Sequence, residues 1–208
     1  MSEKIDVKEI IKVGAILFVI TALAAAVLGF VNSKTAPLIA ENNVIKEQTA
    51  LKAVMPDATW FEEVDYWHDD YVGFDGISLI GMEGEANVVK AYYAATDKEP
   101  VGVIVITETT GYDVGIQTVT GVDEDLKVTG VEIISMNETP GLGAKASDAS
   151  FRSQYTGKSG NIGVSKSGAT DTDIQAISGA TKTSNGVTEG VNTALRAAKI
   201  IMREGETG

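Results

Sequence analysis

The stretch Ile177-Ser178-Gly179-Ala180-Thr181-Lys182-Thr183-Ser184-Asn185-Gly186-Val187 places four hydroxyl side chains and a lysine among small neighbours. A loop of this kind that opens onto a helix gathers unpaired N–H donors and the positive end of the helix dipole. Both favour a phosphate. Gly179, Ala180 and Gly186 permit close backbone approach to a ligand, and Lys182 supplies a neutralising charge. The same residue types also make ordinary caps and turns. On residue types alone, the segment is either a phosphate cradle or a capped helix start.

A second loop, Asn137-Glu138-Thr139-Pro140-Gly141-Leu142-Gly143-Ala144-Lys145, follows the strand-like run VEIISM. A Pro-Gly pair with another glycine two residues on makes a sharp, close-lying turn. Taken alone it is a plain turn with an exposed Glu138.

These two loops need elements to hold them. After the first comes a helical pattern over about residues 185–203, with Val187, Val191, Ala194, Leu195, Ala198, Ile201 and Met202 on one face. Glu189, Asn192 and Arg196 fall on the face expected to meet water. Before the second loop, runs at 88–96, 101–110, 116–122 and 128–136 are rich in β-branched and aromatic residues. Short turn sequences at 97–100, 110–111 and 123–125 separate them and imply antiparallel pairing. Residues 156–172 read as a Gly/Ser/Thr-rich loop, and residues 38–56 as a helix stopped by Pro56. Residues 57–85 are aromatic and acidic and give no firm element. The fold class expected is α+β, a mostly antiparallel sheet packed with helices.

Ahead of this domain, residues 13–31 (VGAILFVITALAAAVLGFV) carry no charge. Nineteen residues at helical rise span about 28 Å, close to the hydrocarbon thickness of a bilayer. Lys4, Lys8 and Lys12 precede the run, and Lys34 is the only base soon after it. That bias favours a single-pass anchor with a cytoplasmic N-terminus and an extracytoplasmic domain. The competing readings are a cleaved signal peptide, from the small residues at 22–26, and a buried helix of a soluble protein. The run continues past those alanines through Leu28, Phe30 and Val31, which favours the anchor.

Composition excludes several classes. A net charge of −12 repels phosphate backbones, so no nucleic-acid partner is expected. The absence of cysteine removes disulfides, thiolate clusters and cysteine nucleophiles. His68 is the only histidine, so a transition-metal site is not expected. Asp69-Asp70 and Asp123-Glu124-Asp125 match no EF-hand spacing and read as solvated acidic turns. No catalytic-nucleophile, zinc-protease or P-loop motif occurs.

Together, ETPGLG at residues 138–143 and SGATKTSNGV at residues 178–187 resemble the FMN-binding domain of the Rnf-complex G subunit. They also resemble its relative, the C subunit of Na+-translocating NADH:quinone reductase. The anchor, Gly111-Tyr112, the VTGVEII strand and the closing helix agree in order. The resemblance implies an FMN whose phosphate is esterified to the Thr181 hydroxyl, with Ser178, Gly179, Ala180, Lys182, Thr183 and Ser184 around it. It implies Glu138, Thr139 and Leu142 beside the isoalloxazine, in a loop that includes Gly141 and Gly143. Thr183 and Ser184 are expected to donate hydrogen bonds to the phosphate. Where the family commonly carries an acidic residue ahead of the motif, this chain has Gln175.

The organisation implied is a cytoplasmic segment 1–12, a membrane helix 13–31, a membrane-proximal segment 32–85, an FMN-binding core 86–203 and a tail 204–208. The function implied is electron carriage within a membrane complex that couples ferredoxin:NAD oxidoreduction to Na+ or H+ translocation. No substrate turnover of its own is expected. A flavin transferase of the ApbE type is the implied maturation partner. Three alternatives stand beside this reading: the quinone-reductase C subunit, which is usually longer, a stand-alone anchored FMN protein, and a non-redox binding module.

Overall fold

Residues 100–110 (PVGVIVITETT) are β-branched at most positions, and successive side chains of a strand point to opposite faces. Val103 and Val105 therefore enter one apolar cluster while Ile104 and Ile106 enter another. A strand apolar on both faces must lie inside a sheet covered on both sides. In the computed structural model, which describes residues 7–64 and 86–205, this strand is the centre of a five-stranded antiparallel sheet. The strands are β1 (Trp60–Glu63), β2 (Asn87–Ala95), β3 (Pro100–Thr110), β4 (Val114–Asp123) and β5 (Val128–Ser135), neighbours in chain order. The four strands expected from sequence are present, and β1 is an addition. At four residues it is too short and too exposed to show a pattern in the sequence.

The chain then passes through a 3-10 turn (Gly143–Ser147), a short helix α2 (Ala149–Arg152) and a second 3-10 turn (Ser153–Tyr155). Residues 156–172, expected as loop, contain a strand. β6 (Gly163–Ser165) pairs in parallel with β7 (Asp173–Gln175). The last element is α3 (Thr181–Gly205), which starts four residues earlier than its apolar periodicity suggests. Small hydroxyl residues carry no hydrophobic signal, so the pattern cannot register the first turn.

The buried face of α3 (Val187, Val191, Ala194, Leu195, Ala198, Ile201) packs with Val103, Val105, Ile116, Val122 and Val131 of the sheet. Asn192, expected to face water, is buried. Its side chain donates to the Ile162 carbonyl and accepts from the Ile162 N–H, both at 2.9 Å. Two backbone groups left unpaired by the loop before β6 thus find partners inside the fold, which buried polar groups require. The opposite face of the sheet is covered by Leu51, Val54 and Met55. Gly121 and Gly130 make room there for the Val54 backbone: a β-carbon on either would stand 2.7 Å from the Val54 oxygen or 2.9 Å from its α-carbon.

The helix expected over residues 38–56 is not separate from the apolar run. Instead α1 runs unbroken from Val7 to Val54 with Pro37 inside it. Proline removes one N–H from the ladder, a loss that a long helix with intact turns on both sides absorbs. Two compact units divide at Lys46 and Glu47. The first is the apolar helix, long and apolar enough to cross a membrane, with none of its most apolar stretch buried. Phe18 and Leu23 are among its exposed side chains. A helix core to a soluble domain would bury that face. His68 and Asp69-Asp70 lie outside the described residues.

Candidate functional site

The two glycine-bearing loops adopt the same local geometry. In the first, Leu142 N donates to Thr139 O at 3.1 Å, and Gly141 at the third turn position has φ +77°. In the second, Ala180 N donates to Ile177 O at 2.9 Å, and Gly179 at the third position has φ +78°. A positive φ there is the type II requirement, which glycine meets without steric cost. The two turns meet: a β-carbon on Gly179 would lie 3.4 Å from the Leu142 Cδ2 methyl.

Helix α3 opens directly out of the second turn. Its first backbone bond runs from Ser184 N to Ala180 O at 3.0 Å. The residue preceding the helix is thus an alanine, with no side-chain oxygen to cap the first turn. The N–H groups of Thr181, Lys182 and Thr183 have no acceptor within the helix. The capped-start reading therefore does not describe this helix. Ser184 braces the turn from beneath, accepting from Ile177 N at 2.9 Å and donating to Ala180 O at 3.0 Å.

Glu138 ties the parts together. Although most of its loop is exposed, the residue is buried. Oε1 accepts from the N–H groups of Tyr112 at 2.9 Å and Asp113 at 3.2 Å. Oε2 accepts from the Thr183 hydroxyl at 2.9 Å. One carboxylate thereby joins the β3–β4 turn, the ETPGLG loop and the first turn of α3. Two glycines permit this packing. A β-carbon on Gly111 would fall 2.4 Å from Glu138 Oε1, and one on Gly143 would fall 2.3 Å from Oε2. Gly186 brings α3 against the end of β3, where a β-carbon would meet Thr110 O at 2.6 Å.

Between the loops lies an open cleft of about 540 Å3, within the usual range of small-molecule sites. Thr139, Leu142 and Gly143 line it on one side. Gly179, Ala180, Thr181 and Lys182 line it on the other, with Glu138 and Thr183 also contributing. Thr181, the first residue of α3, is half-buried, Lys182 is exposed, and Leu142 is 46% exposed. Nine of the twelve residues predicted for the site thus share one cleft. Ser178, Gly141 and Ser184 are not among its lining residues.

One reading of a role is corrected. Glu138 is not a surface acid on a plain turn, because its carboxylate is engaged with three donors. The hydroxyls of Thr183 and Ser184, expected to donate to a phosphate, donate here to Glu138 Oε2 and to the Ala180 carbonyl. Sequence reasoning missed Tyr112, which also lines the cleft. Its signal was an aromatic residue directly after the Thr110-Gly111 turn.

Residues 111–196 match the FMN-binding domain family, and residues 1–54 match the RnfG N-terminal region. The chain is 41% identical over 200 residues to the G subunit of the Na+-translocating ferredoxin:NAD+ oxidoreductase complex of Acetobacterium woodii, with 93% of each chain covered. It is 30% identical over 197 residues to the G subunit of the proton-translocating ferredoxin:NAD+ oxidoreductase complex of Clostridium ljungdahlii, covering 94% of this chain and 95% of that one. Among solved structures, the C subunit of the Na+-translocating NADH-quinone reductase of Parabacteroides distasonis aligns with a TM-score of 0.48 and 24% identity. The alignment covers 66% of this chain and 74% of that one.

Proposed function

The chain belongs to the family of G subunits of ion-translocating ferredoxin:NAD+ oxidoreductase complexes, and from that premise we propose that it is a membrane-anchored electron carrier whose FMN is esterified to Thr181. When bound, FMN supplies one- and two-electron redox chemistry, while the protein supplies attachment, orientation and surroundings.

Each part of the cleft has a task in this reading. The Thr181 hydroxyl would hold the phosphate as an ester. The uncapped N–H groups of the first turn of α3, together with Lys182, stabilise the remaining phosphate charge. Thr139 and Leu142 flank the ring system, one polar and one apolar. Glu138 lines the cleft beside them and holds the three segments in register. Attachment follows from a flavin transferase of the ApbE type. The Thr181 hydroxyl would lose its proton and form the new P–O bond, with the phosphoanhydride of FAD breaking and AMP as the leaving group.

The observation that carries the reading is the position of Thr181. It is the first residue of an uncapped helix and lines a cleft large enough for a small-molecule cofactor. The lysine distribution around residues 13–31 supports a cytoplasmic N-terminus and an extracytoplasmic domain, and the apolar stretch of α1 supports the single membrane span. Partnership with the rest of a complex that couples electron flow to Na+ or H+ movement is carried over from the relatives.

Intact-mass measurement on the full-length chain, coexpressed with a flavin transferase, tests the attachment. The expected result is a gain of one FMN unit in the wild type and none in Thr181→Ala. A flavin mass retained by the alanine variant, or missing from the wild type, refutes it.

A further inference from the structure

Helix α3 is built of two unlike halves. Over residues 181–190 its buried side chains are Thr183, Ser184, Val187 and Thr188, hydroxyls with a single aliphatic among them. Over residues 191–201 they are Val191, Ala194, Leu195, Ala197, Ala198 and Ile201, beside the polar Asn192 and Thr193. The sheet repeats the division. A β-carbon on Gly190 would stand 2.8 Å from the Thr107 hydroxyl oxygen and 3.6 Å from that of Thr118. Thr109 and Thr120 lie on the same face, two residues along their strands, and all four threonines are buried. Thr107 and Thr109 donate across the ladder at 3.5 Å, the limit for a hydrogen bond. The hydroxyls of Thr118 and Thr120 meet no partner among the described residues. A buried polar atom without a partner weakens the packing that hides it. The backbone of this half is also a poor helix. Its start is uncapped, and Gly186 and Gly190 are of the residue type least suited to a helix after proline. Ser184 and Thr188 donate back to the carbonyls four residues earlier, at 3.0 and 2.8 Å, an arrangement that slightly destabilises a helix. From Val191 onward the chain is rich in Ala, Leu, Arg, Lys and Met, the best helix formers.

We infer that residues 181–190 of α3 open as a unit while the rest of the helix stays docked, and that this open form is the substrate of the flavin transferase. The opening stands on the packing alone, and its role in maturation rests on the reading of Thr181 given above. Proteins open locally in units set by their least stable packing, and the hydroxyl half of α3 is such a unit. A transferase must surround the hydroxyl it modifies. In the closed form Thr139, Leu142 and Gly143 line the cleft opposite Thr181, where the walls of that enzyme would have to stand. Opening presents the segment as a flexible peptide. On it the Thr181 hydroxyl would lose its proton and form the P–O bond, with AMP leaving FAD. Reclosing then seats the modified residue in the cleft.

The test uses full-length, flavin-free chain in detergent and reads two rates: amide hydrogen exchange, and the gain of FMN mass after transferase and FAD are added. Amides of residues 185–190, which bond within the helix, should exchange about a hundredfold faster than those of 193–201. Thr118→Val together with Thr120→Val replaces the two orphan hydroxyls with methyls of the same shape. That pair should slow exchange over 185–190 and FMN attachment by a common factor of about ten. Val187→Ala removes the aliphatic anchor of the segment and should speed both by about tenfold. Ile201→Val, in the docked half, should speed exchange over 193–201 severalfold and leave the other two rates unchanged. Equal exchange in the two halves of the wild type overturns the opening. Attachment that ignores Val187→Ala and the valine pair, while exchange follows them, overturns its role in maturation. If the wild type gains no FMN mass, the reading of Thr181 has failed together with its maturation step, and exchange alone decides the opening.

Discussion

The Glu138 carboxylate accepts the Thr183 hydroxyl at 2.9 Å, joining residues 45 positions apart in sequence and closing the cleft from below. Its other oxygen takes two backbone N–H groups of the β3–β4 turn, so removing the side chain orphans three donors at once. A buried donor without a partner costs about 1–3 kcal/mol. Glu138→Ala should therefore lower unfolding free energy by roughly 3 kcal/mol, whereas Glu138→Gln, which keeps an oxygen for the turn and an amide for Thr183, should lose about 1 kcal/mol. Denaturant titration of both variants checks this. Equal losses would mean that the carboxylate is not the joint described.

Gly143→Ala should damage the same joint by another route, because its β-carbon would stand 2.3 Å from Glu138 Oε2 and 2.7 Å from the Thr183 hydroxyl oxygen. Contacting residues do not add, so the double variant with Glu138→Ala should be little worse than either single one. Gly141→Ala offers the contrast. Its β-carbon would meet open space, and only its φ of +77° opposes the substitution, at about 1–2 kcal/mol. A double-mutant cycle that summed fully for Gly143 and Glu138 would contradict this account.

Ala180→Ser should stabilise the flavin-free chain by about 1 kcal/mol by supplying the cap that α3 lacks. The same hydroxyl would occupy first-turn donors proposed for the phosphate, so FMN attachment should slow. Thermal melts and a time course of intact mass read the two effects. Faster attachment would count against the first turn as the phosphate-holding element.

Tyr155 is fully buried with its hydroxyl 2.7 Å from that of Thr188, and burial pushes its phenol above the usual tyrosine range. Above about pH 10 the unfolded chain sheds this proton while the native chain keeps it, so stability falls by about 1.4 kcal/mol per pH unit from this group. The contribution is complete below the unfolded value and fades as pH climbs toward the raised folded one. Flavin-free Tyr155→Phe should lose less stability than wild type between about pH 9 and 11 by urea titration. Parallel curves would exclude the phenol as the source.

How much of this is legible in the sequence depends on the kind of signal each residue leaves. The strands announce themselves because β3 and β4 are β-branched along their length, and the buried stripe of α3 because Val187, Val191 and Ala194 recur at helical spacing. Asn192 does not, since a polar residue whose task is to satisfy Ile162 looks the same in sequence as one facing water. The continuity of α1 through Pro37 escapes a sequence reading because proline forbids only one bond of many. The site is visible as two motifs, and nine of their twelve residues share one cleft. What stays hidden is the wiring among them. That the Thr183 hydroxyl donates to Glu138 depends on a contact across 45 residues that no local pattern encodes.

Because α3 begins at Thr181 and its apolar stripe is locked into the sheet from Val187 to Ile201, the hydroxyl's bearing is a matter of helical phase. Deleting one residue between the two would rotate position 181 by about 100° about the axis, turning the proposed attachment oxygen away from the cleft while the contacts of the stripe from Val187 onward stayed in place. The length of that single turn acts as a compass setting for the cofactor.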